Sequence, residues 1–117
     1  MMRLFYRNRY FKLAVSIIGI IISGTASATT FVASGDISKL FISGAYNYAF
    51  RIYIVNGSVD QLSQCTGSFA YMNIDADNYA VKTSVLTTAY AADKHIAAVV
   101  DKDSSGFCRI LEYEISG

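Results

Sequence analysis

The chain has 117 residues, 53% of them hydrophobic and 16% charged, with no proline, no tryptophan, two cysteines and a formal net charge of +1. Its positive charge is unevenly placed. Without residues 1–28 the chain keeps six Lys/Arg and nine Asp/Glu, a formal charge of −3 with no basic run. That balance argues against nucleic acid and anionic membrane surfaces as partners.

The first segment is a secretory leader by its layout. Arg3, Arg7, Arg9 and Lys12 form a basic head, Leu13 to Ile22 an apolar run, and Ala26-Ser27-Ala28 a small-x-small cleavage pattern. The competing reading is an uncleaved anchor, since no charge falls between Lys12 and Asp36. A spanning helix needs about 20 predominantly apolar residues. The strongly apolar part stops at Ile22, so cleavage after Ala28 is the expectation. It leaves a single exported domain, residues 29–117, in the periplasm or fully secreted, with no stable membrane insertion after cleavage.

Strand signals follow. Gly35 to Ser43 is apolar at Ile37, Leu40, Phe41 and Ile42. Tyr48 to Val55 alternates Tyr48, Phe50, Ile52 and Ile54 with Arg51 and Tyr53, the period-two pattern of a half-buried strand. Ser43 to Asn47 reads as the hairpin loop between them. Asn56-Gly57-Ser58 reads as a turn, although it formally matches a glycosylation acceptor. A polar stretch then leads to a third strand, Phe69 to Ile74. From Asn78 to Ala92 alternation disappears and alanine becomes frequent, which predicts a helix with Tyr79, Val81, Val85, Leu86, Ala89, Tyr90 and Ala92 on its sheet-facing half. His95 to Val100 and Phe107 to Ile115 complete five strands, with Asp101 to Gly106 as a loop. The last strand sets Leu111, Tyr113 and Ile115 opposite Ile110, Glu112 and Glu114. The order β-β-β-α-β-β is that of the OB-fold, a small Greek-key barrel. A mainly β, α+β sheet with one covering helix has the same order.

Cys65 and Cys108 are the only cysteines. In a small exported domain they pair most simply with each other, with Cα atoms within about 7 Å. The loop so closed contributes about 4 kcal/mol on the chain-entropy model.

Several clusters invite chemical readings. Asn73 to Asn78 holds the densest set of side-chain oxygens. Counted from Asp75 as a calcium loop, it lacks the glycine at the sixth position and the glutamate at the twelfth. Asp75 and Asp77 are expected instead to cap the helix, accepting from its free N–H groups. His95 has no second histidine and no neighbouring nucleophile for a triad. Glu112 and Glu114 share an exposed strand face rather than flanking a substrate. The reading is a non-catalytic protein with no metal and no cofactor. Two features remain. Tyr46, Asn47 and Tyr48 lie in the first hairpin loop, where rings that stack and an amide that hydrogen-bonds suit a sugar or protein ligand. The expected outer face of the helix, with Thr83, Ser84, Thr87 and Thr88 between Ala80 and Ala91, is small and uncharged, a surface that a second subunit can approach closely.

The run from Cys65 through the Ala/Thr-rich helix to Phe107-Cys108-Arg109-Ile110 resembles the B subunit of subtilase cytotoxin and its relatives and, more loosely, the OB-fold B subunits of cholera-type pentameric toxins. The resemblance spans about Gly35 to Ile115. It implies an OB-like barrel, a ring of five subunits with helices toward the centre, and a barrel surface that binds host glycans. Only the two cysteines and the helix carry over by position. The expected function is therefore that of an exported binding protein recognising a glycan or a protein surface, as a homo-oligomer. The alternative is an exported structural or envelope-associated protein, or an inhibitor of a secreted protein, with no glycan site.

Overall fold

The computed structural model describes residues 29–117; the expected leader and cleavage after Ala28 lie outside the described residues. Six strands and one α-helix follow in the order β1 (Thr30–Ile42), β2 (Phe50–Asn56), β3 (Val59–Asp60), β4 (Ala70–Met72), α1 (Tyr79–Ala91), β5 (His95–Lys102) and β6 (Cys108–Ser116). The fold is mainly β with one helix and one disulfide, as expected. The two-residue β3, within the stretch read as polar, makes the observed order β-β-β-β-α-β-β. It pairs with the end of β2 across the two-residue turn Gly57-Ser58, where Gly57 supplies a positive φ of 66°.

The sheet order is β1-β5-β6-β4-β2-β3, and β1 also pairs with β2, so the ladders return to their starting strand. One long strand does this by changing partners. Thr30 to Asp36 pair with β5, and Asp36 to Ile42 pair with β2. The change occurs at Gly35, whose φ is +153°. A Cβ there would stand 2.1 Å from the carbonyl oxygen of Val55. Only glycine lets β2 come that close. β1 begins five residues before the expected Gly35 because Thr30 to Ser34 find β5 as a partner, which their sequence does not announce.

The shortest junction in the circuit that returns to β1 is the parallel one. β4 meets β6 only at Ala70–Cys108 and Tyr71–Arg109. The Cys65–Cys108 disulfide, with Cα atoms 5.6 Å apart, fastens β6 to the segment before β4 at this junction. The pairing expected from sequence is thus present.

Phe50, Ile52, Ile54, Met72, Leu86, Ile96, Val100 and Ile110 fill the interior, and no polar or charged residue is buried among the described residues. β2 follows the expected alternation from Phe50 onward. In β6 a register shift opposite Val99/Val100 inserts Leu111, so Cys108 and Ile110 face inward while Leu111 is exposed.

The helix lies where expected, but its rotation differs. Leu86 and Ala89 are buried and Tyr79 packs on the core, whereas Val81 is 61% exposed and Val85, Tyr90 and Ala92 face outward. Thr83, expected outside, is half-buried. Lys82 is the only charged side chain in the helix, so hydropathy sets its azimuth weakly. Contacts to β6 set it instead: Lys82 Nζ donates to the Leu111 carbonyl at 2.9 Å, and Tyr113 Oη donates to the Lys82 carbonyl at 2.8 Å. The expected caps are also absent. Asn78 holds the N-cap position in the left-handed region (φ 56°), and no side chain caps the first turn. Asp75 and Asp77 precede it in a turn where Ala76 N–H donates to the Asn73 carbonyl and Tyr79 N–H to the Ala76 carbonyl.

Candidate binding cleft

Where β4 ends after Met72, the chain leaves β6 and turns toward the helix. The departure opens a cleft of about 450 Å³ lined by Asn73, Asp75, Ala76, Asp77, Lys82, Arg109, Ile110 and Leu111. Ile110 is buried beneath it. The oxygen-rich segment singled out in the sequence is therefore one wall of a cleft rather than a helix cap. The other wall comes from β6, and Lys82 comes from the first turn of α1.

The β1–β2 loop forms the rim. Tyr46 is exposed, its carbonyl accepts from Ile74 N–H, and its phenol feels the Asp75 carboxylate. That negative charge is the main cause holding the Tyr46 pKa above the usual phenol value. Asn47 is exposed beside it. Tyr48 does not share this role. Its backbone is left-handed (φ 56°), and its ring packs between Tyr71 and Phe107, with centroids 4.5 and 4.8 Å away. Its N–H donates to Asn73 Oδ1 at 2.7 Å, and its carbonyl accepts from Arg51 Nε at 3.0 Å. Tyr48 is a buttress that ties the rim to the cleft wall, which explains a non-glycine residue in a disfavoured region.

Two carboxylates, Asp75 and Asp77, face two cations, Lys82 and Arg109, so the cleft carries no net formal charge. Arg109 is steadied by Asp101 Oδ2 at 3.1 Å through one terminal nitrogen. Donors and acceptors lie around an apolar floor, with an exposed phenol at the edge. Such a site can hydrogen-bond alternating hydroxyls and place a ring against a sugar face. It offers no concentrated charge for a phosphate and, among the described residues, no group of three or more His, Cys, Asp or Glu able to hold a metal ion.

The other sequence candidates are dispersed. His95 Nδ1 lies 3.1 Å from Asp36 Oδ1, both about half exposed, as a cross-strand pair beside Gly35. Glu112 and Glu114 border a separate groove of about 310 Å³ on the outer face of β1, β5 and β6, with Val32, Ala97 and Val99. Asp103 closes its own hairpin by accepting from Ser105 and Phe107 N–H groups and fixes the Tyr71 hydroxyl at 2.9 Å. Sequence reasoning missed Asn73, Lys82 and Arg109 as a set. The oxygen cluster and nearby Lys82 hinted at it, but Arg109 arrives from β6, far along the chain. No helix among the described residues is long and apolar enough to cross a membrane. Comparisons with protein-family models, characterised proteins and solved structures give no match to this chain.

Proposed function

We propose that this chain is an exported, disulfide-stapled, OB-like domain that binds an uncharged glycan in the cleft between Asn73–Asp77 and Arg109–Leu111, with Tyr46 stacking at the rim. The observation that carries the reading is the charge-balanced polar lining beside an exposed tyrosine. Ladders that return to β1 and a helix between β4 and β5 support the barrel reading, which is also what the resemblance to toxin B subunits implies. The disulfide favours an oxidising compartment, in keeping with the leader. A non-catalytic role fits the scattered carboxylates and the lone histidine.

A homo-oligomer through the outer face of α1 belongs to the same proposal. Ser84, Thr87 and Thr88 are exposed, yet their hydroxyls donate to the Val81, Thr83 and Ser84 carbonyls of their own helix, at 3.4, 2.7 and 3.0 Å. Covering that face with a partner subunit would strand no hydroxyl. Thr83 does not take part, because it lies on the half-buried side of the helix.

A neutral-glycan array probed with the disulfide-bonded protein tests the reading. The expected result is a restricted set of hits lost in both Tyr46→Ala and Asp75→Ala. Hits that survive both changes, or an array blank for the wild type, would favour the alternative of a structural, envelope-associated or inhibitory protein with no glycan site.

A further inference from the structure

A second surface lies on the outer face of β1 and β2. Arg51 is its centre. The guanidinium carbon sits 4.7 Å from the centroid of Phe41 and 4.9 Å from that of Phe69, between two rings. Its Nε is held by the Tyr48 carbonyl at 3.0 Å. Its two terminal nitrogens make no hydrogen bond among the described residues. Beside it, Lys39 Nζ stands 4.7 Å above the ring of Tyr53, the cross-strand partner of Lys39. Phe41 is 41% exposed.

Residues 29–117 are formally −3, and neither Lys39 nor Arg51 joins a salt bridge. Among the described residues the ion pairs are His95–Asp36 and Arg109–Asp101. A guanidinium oriented by stacked rings and one hydrogen bond loses little freedom when it meets a carboxylate, and its free edge matches the two oxygens. Arginine beside aromatic rings is the composition of protein-interface hot spots. A nucleic acid would have to approach a domain of net negative charge.

We propose that the Lys39–Phe41–Arg51–Tyr53 face docks a protein partner through an extended segment carrying acidic side chains next to apolar ones. Arg51 takes a carboxylate on its free edge, Lys39 a second one, and Phe41 covers an apolar neighbour. Arg51 meets the rim of the cleft only through the Tyr48 carbonyl, so one domain can hold a glycan and a protein together.

The test is fluorescence anisotropy with two short labelled peptides, one alternating glutamate with leucine and one alternating lysine with leucine. The glutamate peptide should bind the wild-type protein about tenfold tighter or more than the lysine peptide, and should weaken with added salt. Lys39→Glu, at an exposed position, should reduce that binding about tenfold, and Arg51→Gln should do so with unchanged circular dichroism. If Arg51→Gln fails to fold, Lys39→Glu decides alone. Equal binding of the two peptides, no binding of either, or insensitivity to Lys39→Glu would overturn the proposal. So would preferential binding of an oligosaccharide of glucuronate or of single-stranded DNA at this face.

Discussion

Asp75 shows how far a single residue can be read from sequence. Its carboxylate was visible as part of an oxygen-rich run, but its use depends on where the chain goes after Met72. Neutral oxygens from Asn73 brace the β1–β2 loop, while the carboxylates of Asp75 and Asp77 stay available on the cleft wall. Gly35 is the opposite case, an unremarkable residue in sequence that the fold makes indispensable. Gly35→Ala should destabilise the protein by about 3 kcal/mol, from the clash with the Val55 backbone and the positive φ together. A urea midpoint within error of wild type would contradict that. Tyr71 gives a pH signature. Burial, reinforced by Asp103, raises its pKa well above the ordinary phenol value, so the folded state holds a proton that the unfolded state releases near pH 10. Stability is full below that pH and is lost as pH climbs toward the raised folded value. Tyr71→Phe should shrink the alkaline loss of stability, leaving a residue due to Tyr113, which burial also raises, and to Tyr46, which the Asp75 carboxylate raises. Unfolding at pH 8 and at pH 10.5 measures both terms.

At the scale of elements, local pattern located the pieces and tertiary contacts oriented them. The alternation of Phe50, Ile52 and Ile54 could only be a strand with those residues inside, and it is. The helix was equally visible in position but not in rotation, because a run of alanine, threonine and valine has small side chains on every face. Leu86→Ala should therefore cost about 3 kcal/mol, as a fully buried leucine. Val81→Ala, at a position expected from sequence to be buried, should change stability by less than about 0.5 kcal/mol in a monomer. Equal effects would mean the helix is turned otherwise. Thr87→Lys separates monomer from oligomer. Light scattering should show the assembly lost with the fold intact if the outer helix face is shared around an axis, since like charges crowded in a low-dielectric contact are costly. A wild-type mass of one chain at every concentration removes the oligomer.

For the whole molecule, the strand count and the disulfide were nearly legible, and the closure was not. Nothing in Thr30 to Ser34 says that this stretch reaches β5, and nothing in β4 says that three residues suffice to bridge β2 and β6. Those contacts join positions far apart in sequence and follow from global packing rather than local preference. The cleft inherits the same difficulty, since it exists only because β4 is short and the chain turns away from β6 after it. Reduction of Cys65–Cys108 should lower stability by about 2–5 kcal/mol and loosen this junction first, seen as faster amide exchange at Ala70 and Tyr71 than at Ile52.

The cleft is the centre of the account, and amide chemical-shift mapping with neutral monosaccharides (galactose, glucose, mannose and N-acetylglucosamine, each at millimolar concentration) tests it most directly. At least one sugar should shift Asn73 to Asp77, Lys82 and Arg109 to Leu111 in a saturable way, with Tyr46 at the margin and Lys39 to Ile42 unmoved. Saturable shifts confined to another surface, or none with any of the four sugars, would contradict it.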